Sequence, residues 1–252
     1  MGAKAGPPVR HLGDLVVVLI LGIESATHRI GCAIGGHEGV IALHEVTGGR
    51  RHAETLAPAI EFICQQADVT LAELGCIAVD VGPGLFTGMR VGIATAKALA
   101  HALRVPMVGI ASLDLLAFPL RHTDRTIVAV IDARRGEIYH ALYRQAPGGI
   151  QRLTEPAVGT TEDLITELLV VRDDLLFVGD GALRYRDQFV SELPKAAFAD
   201  AWLAHPSAAP LVQLAHALAL REQFVNPWEL DPLYLRQPDA EINWITRQGR
   251  HR

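Results

Sequence analysis

Two carboxylates and one glycine-rich segment are the residues of this chain best placed to do chemistry. Glu24 closes the apolar run at residues 15–23, and Asp132 closes another at 126–131. Each precedes a turn, so the pair are candidates to face one cleft. Opposed carboxylates there can hold Mg²⁺ through water or act as acid and base. The competing reading has them capping turns or pairing with Arg29 and Arg134 at the surface. The segment GPGLFTGMRVG at 82–92 follows an apolar strand and opens a helix. Its glycines let backbone N–H groups crowd a helix start, where the dipole favours an anion and Thr87 can serve as cap. Gly82, Gly84, Thr87, Gly88 and Arg90 are therefore candidates for a phosphate or nucleotide loop, against a purely structural strand-to-helix turn. The spacing is neither GxGxxG nor a P-loop, because no Lys-Ser/Thr follows.

Other chemistries find little support. No two of the 11 histidines stand four residues apart, so no helix presents an HxxxH or HExxH face. Cys32, Cys64 and Cys76 lack CxxC spacing and sit in apolar runs, as buried small hydrophobes do in a reducing compartment. No GxSxG elbow exists for a serine hydrolase. The reading is no metal site and no resident cofactor.

The elements that must position these residues come from the apolar pattern. Strands are predicted at 15–24, 30–35 and 39–46, then a helix over 51–67 that Pro58 should bend or begin. Strand 76–81 enters the glycine loop, helix 89–103 follows, and a strand at 106–110 with a helix at 112–118 closes the first half. The second half repeats that order, with strands at 126–132 and 137–144, a helix at 161–169, and strand 175–179. A Gly-Asp-Gly turn at 179–181 and helices at 182–191 and 207–223 complete it. Each half carries a hairpin whose first strand ends in a carboxylate, and later an apolar strand running into a glycine turn. Two like α/β units with a cleft between them are the expectation. The boundaries are a tail at 1–14, a first domain at 15–119, a second at 120–225 and an extended C-terminal tail at 226–252.

Composition sets limits on partners. Half of the 252 residues are hydrophobic, which supports packed cores, and the net charge of −5 is a poor field for gripping nucleic acid unaided. The run at 15–23 is too short to span a bilayer, and it lacks a small-x-small cleavage site. Alanines 94, 96, 98, 100 and 102 put small apolar positions on several faces of one helix, so close approach to another chain is as open as ordinary packing. The basic end at 246–252 reads as a solvated tail.

Four blocks make the sequence similar to a known family. Ile20-Leu21-Gly22-Ile23-Glu24-Ser25-Ala26-Thr27, GPGLFTGMRVG at 82–92, the IDARRGEIY run at 131–139 and Pro232-Leu233-Tyr234-Leu235-Arg236 resemble the signatures of the TsaB (YeaZ) family, in order, over residues 18–237. The resemblance implies two ribonuclease H-like domains of the acetate kinase, Hsp70 and actin superfold. It implies a non-catalytic, cytoplasmic subunit required for threonylcarbamoyl transfer to adenosine 37 of tRNAs that read codons starting with A. The family's catalytic paralogue, TsaD, holds a metal through two histidines four residues apart, whereas this chain reads GIASLDLL at 109–116. The implied partners are TsaD and the ATPase TsaE, with tRNA reached through the complex, and a homodimer of the lone chain is left open. The implied contact uses the two helices of the first domain, which offers His52, Glu54, Leu56, Ile60, Ala94, Ala98 and Ala102. ATP or ADP would bind only at an interface with the partner. Alternatives within the superfold are a metallopeptidase-like and a sugar- or acetate-kinase-like enzyme. Two departures stand out: Glu24 replaces the family's usual Asp, and the 14-residue leader points to a true start near residues 16–18.

Overall fold

The sequence ILGIE at 20–24 is an apolar run closed by a single carboxylate, and it forms the fully buried centre of a sheet. A computed structural model describes residues 10–12, 15–48, 52–171 and 173–236, with the backbone alone for 10–17, 52 and 53. β1 (Arg10–Leu12) pairs antiparallel with β2 (Leu15–Val17), so the predicted strand at 15–24 is two strands, parted at Val18 and Leu19. The predicted tail thus includes a short strand, and its residues 1–9, 13 and 14 lie outside the described residues.

β3 (Ile20–Glu24), β4 (Arg29–Gly36) and β5 (Gly39–Thr47) form a meander, and α1 (His52–Gln66) follows. β6 (Cys76–Asp80) leads through the glycine loop into α2 (Phe86–Leu103), and β7 (Met107–Ile110) and α3 (Ser112–Ala117) come next. The first sheet has the order β5-β4-β3-β6-β7, antiparallel on one side of β3 and parallel on the other. The second half supplies β8 (Thr126–Arg134), β9 (Glu137–Ala146), β10 (Gly149–Arg152), β11 (Ala157–Thr160) and α4 (Thr161–Leu168). β12 (Leu175–Val178), α5 (Asp180–Arg184), α6 (Arg186–Glu192), β13 (Ala197–Phe198) and α7 (Ala208–Ala219) complete it. Its sheet runs β10-β9-β8-β12-β13, with β11 beside β9. The order and senses match the first sheet, so the duplication read from the sequence is present as two ribonuclease H-like sheets.

The helices do not respect the halves. α3 follows the first sheet but packs on β8 of the second, through Leu113, Leu116 and Ala117. α7 follows the second sheet but covers the first, where Leu211, Val212 and Ala215 meet Ile20, Ala33 and Ala78. With α1 and α2 on its opposite face, the first sheet is buried on both sides, which explains why β3 and β6 read as unbroken apolar runs.

Three local corrections have plain causes. α2 starts at Phe86 rather than 89, so Gly88 is helical, and its N-cap is Leu85 rather than Thr87. The predicted helix at 182–191 is two helices, broken at Tyr185. α1 runs through Pro58, which is exposed, without starting there. Leu56, expected at a partner interface, is only 1% exposed and packs in the first core, while Ile60, 5% exposed, packs there too but also lines the groove between α1 and α2.

Candidate functional site

The ends of the central parallel strands gather the polar chemistry of the first half. Ile23 of β3 lies opposite Val79 of β6, so Glu24 and Asp80 emerge side by side, and both are fully buried. Glu24 Oε1 accepts from the Ala26 N–H at 2.9 Å, while its Oε2 is buried with no hydrogen-bond partner. Asp80 accepts from the Ser112 hydroxyl at 2.7 and 2.9 Å and from the Gly82 N–H at 2.7 Å. Burial, and then the neighbouring Asp80, hold the Glu24 carboxyl well above its ordinary range. Burial likewise pushes Asp80 up to about 7, against the pull of its Ser112 and Gly82 hydrogen bonds. Asp80 was missed in the sequence, although a lone carboxylate ending an apolar strand was the signal already used for Glu24.

The glycine loop is wired into the same cluster. Gly82 has φ +98°, a left-handed conformation that glycine alone adopts freely, and its carbonyl accepts from the Ser112 N–H at 2.8 Å. A Cβ on Gly84 would run into the Ala26 carbonyl oxygen, which also accepts from the Leu85 N–H at 2.6 Å. The Gly88 carbonyl accepts from the Ser25 hydroxyl at 2.9 Å. Thr87 is exposed on the first turn of α2. Arg90 turns to the C-terminal segment, its Nε donating to the Tyr234 hydroxyl at 2.9 Å, and its guanidinium lies 3.8 Å over the Phe86 ring.

Asp132 sits at the mouth of the second hairpin, where its neighbour Arg134 reaches His28 of the first. It is ion-paired with Arg134 at 3.9 Å and Arg184 at 3.4 Å, and its backbone N–H donates to Asp180 Oδ1 at 3.1 Å. Burial raises the Asp180 carboxyl to about 6. The predicted partner for Glu24 is also displaced, since Arg29 pairs with Glu45 at 3.8 Å. The groove between the halves is lined by Gly84, Phe86, Met89, Ala133, Arg134 and Tyr139, with residues 233–236 alongside, and by neither candidate carboxylate. Glu24 ends β3 inside the core, so the two carboxylates do not line this groove together. Among the described residues, no three His, Cys, Asp or Glu side chains gather as a metal site.

A second feature lies on the outer face of the first half. A groove of about 630 Å³ runs between α1 and α2, lined by Ala57, Ile60, Cys64, Val69, Thr95 and Leu99 among others. Along the same two helices Glu54, Ala94, Ala98 and Ala102 are exposed, and Leu71, which lines the groove, is 39% exposed. The His52 side chain lies outside the described residues. Glu61 of α1 and Asp68 just beyond it also line the groove, so that wall carries acidic side chains.

The family model described as TsaD, tRNA N6-adenosine threonylcarbamoyltransferase, matches residues 39–244. The Bacillus subtilis tRNA threonylcarbamoyladenosine biosynthesis protein TsaB is 29% identical over 91% of this chain and 99% of its own length. The chain belongs to the TsaB (YeaZ) branch of the TsaD family. Escherichia coli TsaB is 26% identical over 92% of this chain and 99% of its own. The solved structure of YeaZ from Pseudomonas aeruginosa has a TM-score of 0.75 at 27% identity, covering 86% of this chain and 100% of that one. The TsaB signature blocks read from the sequence thus mark true kinship. Three of them (residues 20–27, 82–92 and 232–236) converge at the glycine loop, where Ala26 bonds Leu85 and Tyr234 stacks on Phe86.

Proposed function

We propose that this chain is a non-catalytic subunit of tRNA threonylcarbamoyladenosine biosynthesis. In this reading it docks a TsaD-type transferase on the face formed by α1 and α2. The observation that carries the proposal is that face: a groove of about 630 Å³ between α1 and α2, with an acidic wall at Glu61 and Asp68, and exposed alanines at 94, 98 and 102 along α2. Small side chains let helices approach closely, and the acidic wall at Glu61 and Asp68 suits a partner helix that carries basic residues there. The names of the B. subtilis and E. coli relatives supply the pathway.

The non-catalytic part of the reading draws support from where the carboxylates go. Glu24 and Asp80 are inside the core, and Asp132 is held by Arg134 and Arg184. TsaE would join the same assembly, tRNA would be reached through it, and adenine nucleotide would bind only where subunits meet. A cytoplasmic setting belongs to the same proposal, and no helix among the described residues is long and apolar enough to cross a membrane.

The test is co-expression with the TsaD of the same organism. We expect the two to co-purify in equal amounts, and transfer to tRNA to need both. Ala98→Glu should abolish co-purification. Unchanged co-purification of that variant, or transfer by the chain alone, would overturn the reading.

A further inference from the structure

The PLYLR block at 232–236 has no role in the proposed docking, yet it touches both halves of the molecule. Leu230, 4% exposed, is packed in the first core, and the Leu233 N–H donates to the Val81 carbonyl at 2.7 Å. The Tyr234 ring stacks on Phe86 with centroids 5.2 Å apart while its hydroxyl takes the Arg90 hydrogen bond. The chain then crosses the groove. Leu235 packs with the core of the second half, and Arg236 donates to the Ala133 carbonyl at 3.0 Å and to Glu137 Oε2 at 2.8 Å.

We propose that residues 230–236 are a clasp that fixes the spread of the two halves and covers the glycine loop. Two observations carry this beyond ordinary packing. First, the anchors pass from one half to the other within seven residues, with Leu230, Leu233 and Tyr234 on the first half and Leu235 and Arg236 on the second. Second, the groove they bridge keeps a free volume of only about 110 Å³, with the segment itself as one wall. A short tether held at both ends keeps each anchor at high local concentration for its site, so freeing either end weakens the other. The clasp also grips the first turn of α2 through Phe86 and Arg90. It thereby ties the pose of that helix to the second half.

The experiment is amide hydrogen exchange on the full chain with Tyr234→Ala, which frees the first-half end, and Arg236→Ala, which frees the second-half end. A clasp predicts that either variant speeds exchange about tenfold at both anchor sites, residues 82–88 and 133–139, with the β3 and β8 cores unchanged. The double variant should add little further. Faster exchange at only the mutated end, no change at either, or a uniform rise through both sheets would each overturn the proposal. Should Tyr234→Ala fail to fold, Tyr234→Phe keeps the stack and removes only the Arg90 hydrogen bond. It should then give a smaller rise at both sites, and a rise confined to 82–88 would again overturn the clasp.

Discussion

Glu24 and Asp80 illustrate how a site that looks reactive becomes a stability term. Two carboxyls inside one core cannot both ionise cheaply, so the native state holds on to protons that an unfolded chain would release. Asp80 moves from an ordinary value of 3.8 up to about 7, and Glu24 shifts the same way. The sign follows: this stability is fully present below about pH 4 and is lost as pH rises toward about 7. Glu24→Gln keeps the acceptor for the Ala26 N–H and places a donor beside Asp80. We expect its Tm to fall less than that of the parent chain between about pH 5 and pH 8, measured by calorimetry. An equal or steeper fall would count against the carboxyl pair as the source. Gly84→Ala tests the loop at the same scale. Its methyl meets the Ala26 carbonyl, which is backbone and cannot swing away. We expect a loss of about 3 kcal/mol or more in urea unfolding, or an insoluble product. Sequence alone identified Glu24 as a special residue. It could not show that the strand ends inside the core, because that depends on α7 arriving from residues far along the chain.

At the scale of elements, α1 and α2 each have an inner and an outer face, and substitutions should separate them. Leu56→Ala opens a cavity against the sheet and should cost about 2–5 kcal/mol, seen as a lower Tm. Ala98→Glu, on the exposed face, should leave the melt within about 0.5 kcal/mol and act on partner binding alone. A large drop in Tm for Ala98→Glu would mean that it reports folding and not an interface. The helical period of α1 was legible, but which of its residues faced outward was not, since helix propensity and spacing are blind to where the sheet lies. The missed elements share a cause. β10, β11 and β13 are two to four residues long and mostly half-buried, so they carry no alternating pattern to read. The early start of α2 was hidden by Gly88, a poor helix former tolerated there because Ser25 packs against the turn and bonds its carbonyl. The Asp114–Arg152 pair, at 2.6 Å, was equally invisible, joining α3 to β10 across 38 residues.

For the whole molecule, the repeated strand order was legible because duplication leaves the same apolar-strand, glycine-turn, helix sequence in both halves. The exchange of helices was not, because nothing in the local pattern of α3 or α7 says which sheet each will cover. That exchange has a physical consequence for any attempt to divide the chain at residues 119 and 120. The first fragment would retain β3, β4 and β6 but lose α7, exposing Ile20, Ala33, Ala78 and Val108 on one face of its sheet. The second would keep α7 with its Leu211, Val212 and Ala215 face uncovered, although α3 would remain with the wrong fragment, away from β8. Neither piece could bury its own apolar surface, and exposed patches of that kind drive aggregation. We expect each fragment made alone to be insoluble or to give collapsed amide proton spectra. Made together, they should assemble into a complex with the secondary structure of the intact chain. A first fragment that folds alone, with protected amides in β3, would show that α7 is an ornament on a self-sufficient domain. Cooperative unfolding of the intact chain in one transition is the corresponding expectation, because each sheet holds a helix that the other half of the sequence supplies.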